Sequence, residues 1–224
     1  MIERFSLTAD MSEIEERFGI QKVVVGHTNR FNIAPTQTVS IIMNDRHDTR
    51  VLQEARWGLF PFWAKDSVNA DSAALPEKPF LHQMMKRQRC VIPCSGFYGQ
   101  KLFGKEREPR AMHTVLPGHD VLGIAGMYDC WRHSSGKEVR AFTMLTAATS
   151  GSMSVWQPTL PVVLDEEGIE DWLNPKLKEF SMLRKHMEAP ESYLLRSYPV
   201  TNAVHDEWYE APDCIREIAI PDFA

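Results

Sequence analysis

Apolar positions keep helical spacing only briefly near the start of this chain, and then gather into short runs of the kind strands use. Ile14 and Phe18 lie four apart, Thr8 and Asp10 before them suit N-caps, and Gly19 after them suits a left-handed exit, so a short helix is expected there. Residues 39–43 and 51–55 are strand-like runs flanking Asn44-Asp45-Arg46-His47-Asp48, a polar connection of hairpin type. Over 80–87, Leu81, Met84 and Met85 share one helical face and leave Lys86 and Arg87 outside it. Strand-like runs follow at 90–92, 97–102, 111–115, 121–128 and 140–146. Helical patterns return over 167–173 and 175–186, split by Asn174-Pro175, with Pro175 suited to a first helical position. The order predicts an α+β fold with mostly antiparallel strands and peripheral helices. No repeat or linker divides it, so one domain over 1–224 is expected.

Composition changes this picture little. A chain of 224 residues with 43% hydrophobic and 25% charged residues can bury its own core without outside staples. Its apolar stretches are too short to span a bilayer, and Glu3 and Asp10 interrupt any secretory apolar region, so a cytoplasmic monomer is the expectation. Cys90, Cys94, Cys130 and Cys214 lack the spacing of a zinc site or a disulfide framework. They read as reduced structural thiols, with no metal and no cofactor expected. The net charge of −5 argues against bulk attraction to duplex DNA, yet residues 78–110 hold eight Lys and Arg against two Glu. That cluster is either a solvated face or a track for phosphates.

Trp57, Phe60, Phe62 and Trp63 crowd seven positions close in sequence to Asn69 and the basic stretch. Aromatic faces beside cations suit single-stranded nucleic acid, where each stacked base is worth about 1–3 kcal/mol whatever its identity. Core packing is the competing reading for Trp57 and Phe60, while Trp63, beside Ala64-Lys65-Asp66, suits an exposed ring. Asn32 and Asn69 can equally be turn residues bonding their own backbone.

Taken in order, Arg30-Phe31-Asn32-Ile33-Ala34-Pro35-Thr36, Arg56-Trp57-Gly58-Leu59-Phe60-Pro61-Phe62-Trp63, Asn69-Ala70 and Arg89-Cys90-Val91-Ile92-Pro93-Cys94-Ser95-Gly96-Phe97-Tyr98 resemble the SOS response-associated peptidase (SRAP) family. The likeness continues through Ile124-Ala125-Gly126-Met127-Tyr128-Asp129, Phe142-Thr143-Met144-Leu145-Thr146-Ala147, Leu160-Pro161-Val162-Val163-Leu164 and Tyr198-Pro199-Val200-Thr201. No one motif is specific, but their order covers nearly the whole chain. The resemblance implies a mostly antiparallel β core of barrel-like sheets with peripheral helices, and a cleft that binds single-stranded or junction DNA and captures abasic sites. It implies that Arg4, Asn32, Pro35, Trp63, Asn69, Ser72 and Thr146 face that cleft, with Lys86, Arg87 and Arg89 as further contacts to the DNA backbone.

The chain departs from the family where the chemistry sits. The family's nucleophile is a cysteine directly after the initiator Met, and here that position is Ile2, followed by Glu3 before the matching Arg4-Phe5. The family's glutamate in Gly-Phe-Tyr-Glu-Trp is Gly99, and its histidine is Gln157 in Trp156-Gln157-Pro158. Isoleucine has no thiol to close a thiazolidine ring, glycine carries no proton-transfer group, and glutamine cannot act as acid or base near neutral pH. Asn69-Ala70-Asp71 also replaces the family's Asn-Ala-Arg, which leaves Asn69 as the retained member of the catalytic set. Three readings follow: a DNA-binding pseudoenzyme, an amine-based lyase acting through the Met1 α-amine, and an interaction scaffold without nucleic acid. Whether Glu3 substitutes for the lost carboxylate is open at this point.

Overall fold

The computed structural model describes residues 2–62, 64–132, 136 and 138–219; the expectations for Trp63 and the Met1 amine lie outside them. In chain order the elements are β1 (Phe5–Leu7), α1 (Met11–Phe18), β2 (Lys22–Val23), β3 (Arg30–Ile33), β4 (Thr38–Asn44) and β5 (Arg50–Trp57). Next come β6 (Asn69–Asp71), α2 (Pro79–Arg87), β7 (Arg89–Cys94), β8 (Gly96–Phe103), β9 (Glu108–Val115) and β10 (Leu122–Arg132). The last third holds β11 (Glu138–Ala148), β12 (Thr159–Pro161), β13 (Val163–Leu164), α3 (Glu166–Leu173), α4 (Phe180–Leu183) and β14 (Arg196–Pro199). The fold is α+β, with mostly antiparallel strands and few helices. Among the described residues no helix is long and apolar enough to cross a membrane.

Strands β5, β4, β7, β10 and β11 pair in that order, and a parallel contact between β11 and β5, Phe142 opposite Trp57, closes them into a barrel. The closure is filled by aromatic rings. Trp57 meets Phe5 edge-on at 5.1 Å and lies nearly parallel to Phe142 at 6.4 Å, and its indole N–H donates to Val68 O. Such pairs add about 0.5–1.5 kcal/mol beyond area burial. The second sheet runs β14-β9-β8-β1-β3, and only Ser95 separates β7 from β8, so the chain passes directly from barrel to sheet. Ser95 Oγ accepts from the N–H groups of Thr8 and Ala9, which ties the N-terminal strand to that corner.

The first helix is capped as its sequence predicts, by a reciprocal Asp10–Glu13 box and by Gly19 at φ 60°. The predicted helix over 175–186 is broken instead. The Asn174 side chain accepts from Lys176 N–H, a local bond that competes with helix formation. Helix resumes only at Phe180, then tightens into a 3-10 turn over Arg184–His186. Trp57 is core, but Phe60, for which packing inside was the competing expectation, is 70% exposed.

Beneath β8, a buried polar chain joins the sheet's centre to its edge. The Tyr198 hydroxyl donates to Ile215 O and lies 2.8 Å from His113 Nδ1. His113 Nε2 lies 3.0 Å from Ser6 Oγ, whose hydroxyl donates to Gly96 O at 3.2 Å. Gly96 is required here, because a Cβ at that position would sit 2.4 Å from His113 Nε2. Burial depresses the His113 pKa to about 4, so the fold holds a neutral ring that the unfolded chain protonates near 6.5. The stabilisation is therefore complete above pH 6.5 and is lost as pH falls towards 4, about 3 kcal/mol in all by linkage. Urea midpoints of the parent and His113→Gln, measured at pH 7.5 and 4.5, should converge at the lower pH; parallel pH dependences would refute the assignment.

Candidate nucleic-acid interface around Gly99

Pairing of Phe5 with Phe97, continued by Tyr98 N–H donating to Arg4 O at 3.0 Å, lays the N-terminal residues along β8. A cavity of about 340 Å³ opens beside them, lined among others by Glu3, Arg4, Tyr98, Gly99, Trp156 and Gln157. Its far wall includes Val204 and His205, on a 3-10 turn over Asn202–His205. Two of the three departures from the family pattern, Gly99 and Gln157, line this cavity, and the third, Ile2, immediately precedes Glu3 of its wall. Ile2 is wholly buried in the core, and its carbonyl accepts from Asn69 Nδ2 at 2.6 Å. Asn69 reaches it from β6, which runs parallel to β11. Its Oδ1 is buried and has no partner among the described residues.

Gly99 and Gln157 interlock. A Cβ at position 99 would lie 2.3 Å from Gln157 Oε1 and 3.2 Å from the Trp156 ring. The backbone at Gly99 is not left-handed, so space and not conformation excludes a side chain there. The Gln157 amide is held where it is, because its Nε2 donates to Thr159 O at 2.9 Å and its backbone N–H donates to Met153 O at 2.8 Å. These two positions thus offer a glycine and a neutral amide, neither of which carries a proton.

Other predicted site residues build the walls. Asn32 is fully buried, and its amide spans the carbonyls of Val204, Asp206 and Tyr209. Arg4 donates to His205 O at 2.7 Å and, at 3.4 Å, to Asn32 Oδ1. These contacts fix the C-terminal segment against β1 and β3. Pro35 lies in the turn after β3, where Thr36 takes φ 75°. Ser72 Oγ donates to Met187 O and Thr146 Oγ1 to Ala70 O, both from buried positions. Asp71, where the family has a cation, accepts from Ala73 N–H and caps the 3-10 turn over Ser72–Glu77.

Lys86, Arg87 and Arg89 line a different cavity, beside the β4–β5 turn. Arg89 is buried, and its guanidinium donates to the carbonyls of Trp172, Met85 and Asn174. Sequence reasoning missed Trp156 and His205 as lining groups. The Trp156 ring, with Lys101 Nζ 5.9 Å from its centre, was detectable as an aromatic beside Gln157; His205 comes from 200 residues away and left no local signal. Glu167, Asp171 and His186 have ligand atoms within 4.8 Å of one another, but Lys185 already pairs with both carboxylates.

A family model described as SOS response associated peptidase (SRAP) matches residues 1–207. The chain is 30% identical to the abasic site processing protein YoqW of Bacillus subtilis, over 96% of this chain and 99% of that one. It is 24% identical to the abasic site processing protein HMCES of Xenopus tropicalis, over 85% of this chain and 66% of the relative. A crystal structure of a protein from Bacteroides thetaiotaomicron superposes with a TM-score of 0.78 at 21% identity, covering 96% and 99% of the two chains. With its barrel, its cleft and the order of its motifs, the chain belongs to the SRAP family.

Proposed function

We propose that this protein acts in the abasic-site branch of the DNA damage response as a binder of single-stranded or junction DNA, without the covalent capture of its family. The interlock of Gly99 with Gln157 carries this reading: the place of a proton-transfer carboxylate is filled by an amide that another residue holds fixed. Ile2 supplies no thiol, and burial pushes the Cys94 thiol up to about 12, so it stays protonated and unreactive. DNA contact falls to the cleft walls, where Arg4 and the Trp156 ring offer a cation and a stacking face.

The test pairs two measurements on single-stranded DNA with and without an abasic site. Anisotropy should show binding whose log K falls with log salt by about 0.7 per phosphate neutralised. Borohydride trapping of the same mixtures should give no covalent band. Absence of binding at low salt would reject the DNA reading. A band abolished by blocking the N-terminus would replace the pseudoenzyme with an amine lyase, for which Glu3, in the cleft wall, is the available carboxylate.

A further inference from the structure

Most arginines of this protein are already occupied. Arg17 and Arg50, beside a cavity of about 710 Å³, pair with Glu166 at 2.9 Å and Glu170 at 2.7 Å, while Arg30, Arg110 and Arg140 also have carboxylate partners. A cavity of about 360 Å³ between the β4–β5 turn, the end of α2 and the segment after α3 is different. Arg46, Lys86, Arg87 and Lys178 line it, and among the described residues none of the four has an ion pair or hydrogen bond. Asp45 is the one carboxylate of its wall, and Asp45 Oδ1 already accepts the N–H groups of His47 and Thr49.

Cations at the end of a helix ordinarily complement its dipole, and α2 and α3 both end here. Arg89 does that work. Its guanidinium bonds the carbonyls of Met85, Trp172 and Asn174, from the last turn of α2 and the end of α3. The four outer cations are thus surplus to helix capping, and they surround one concavity of a chain whose net charge is −5.

The wall of the cavity adds a hydroxyl with unfilled capacity. The Tyr128 hydroxyl, kept protonated by burial, has no partner among the described residues. Four cations and a hydroxyl suit phosphate oxygens, and the phosphate of a nucleotide, free or within a strand, supplies them. We propose that this cavity is a phosphate-binding site for a nucleotide unit, separate from the Gly99 cleft, with which it shares no lining residue.

The unit could be free or part of a strand, and titration of the full chain with inorganic phosphate, AMP and labelled polythymidine separates the sources. Lys86→Glu/Arg87→Glu should weaken whichever ligand binds by at least tenfold, and Lys178→Glu severalfold. Lys105→Glu/Arg216→Glu, the same charge change elsewhere, should cost less than twofold. Binding of AMP or phosphate marks a free ligand; polythymidine binding alone, with a salt slope reduced by about 1.4 in the double variant, marks a strand. The proposal is overturned if the two double variants weaken binding equally, or if the parent binds none of the three. Because the readout resides in cavity variants and undamaged ligands, it stands or falls apart from abasic-site binding in the cleft.

Discussion

Gly99→Glu alone is expected to destabilise the protein by about 1–3 kcal/mol, the usual range for forcing a side chain into occupied space, and to leave it without covalent activity. The new Cβ would fall 2.3 Å from Gln157 Oε1, and the amide cannot swing aside without breaking its bond to Thr159 O. Gln157→Ala removes the obstruction, so Gly99→Glu/Gln157→Ala should recover most of the lost stability relative to Gln157→Ala alone. A double-mutant cycle read by urea denaturation should return a coupling of about 1–3 kcal/mol. Additive single effects would show that the two positions do not interlock. The same geometry sets the route back to chemistry. Ile2→Cys alone restores a thiol but neither proton-transfer group, and should give little crosslink to abasic DNA. Ile2→Cys with Gly99→Glu and Gln157→His restores the acid and base within one cavity, and should give a covalent band resistant to denaturing electrophoresis. Failure of the triple variant, if it is folded and binds DNA, would show that more than these three positions separate the chain from catalysis.

This coupling marks the limit of what could be read along the chain. The helix ending at Gly19, the hairpin around Asn44 to Asp48 and the helix bearing Met84 and Met85 were legible, because local capping, turn chemistry and periodicity determine them. The barrel closure was not. It depends on a parallel contact between Trp57 and Phe142, 85 residues apart, to which no local pattern points. The break after Asn174 was hidden too, since one side-chain bond to Lys176 N–H outweighs an otherwise helical run. In the site, each departure from the family pattern was visible as a single letter: Ile2, Gly99 and Gln157. That the glutamine occupies the room a residue at 99 would need is a tertiary fact. Asn32 and Arg89 show the converse case. Polar residues in a DNA-binding pattern suggest contact with ligand, while their donors are in fact taken up by backbone carbonyls that only the fold brings near them.

Arg89→Ala is expected to be among the most damaging substitutions in the molecule, at about 3–5 kcal/mol. The side chain is 7% exposed, and burial lowers its pKa only to about 10, so it remains a cation at neutral pH. Among the described residues no carboxylate pairs with it. Instead three carbonyl oxygens at the ends of α2 and α3 converge on it, and its guanidinium lies 5.7 Å from the centre of the Trp172 ring. The Met85 and Trp172 carbonyls are end-of-helix acceptors without an intrahelical donor, each costing about 1–3 kcal/mol if buried and left unpaired, while the Asn174 carbonyl also accepts from Leu177 N–H at 3.2 Å. Volume alone should not rescue the site: Arg89→Met keeps the apolar stem but supplies no donor, and should recover only a fraction of the loss. Arg89→Lys keeps the charge but cannot reach three acceptors in a planar fork, and should fall between parent and Arg89→Met. Arg87→Ala, two residues away and exposed, should change stability by less than about 0.5 kcal/mol. Urea denaturation of the four variants decides the matter. If Arg89→Met matches the parent, the residue fills space and does not join the helix ends, and the four outer cations of the neighbouring cavity are then the groups that complement the helix termini.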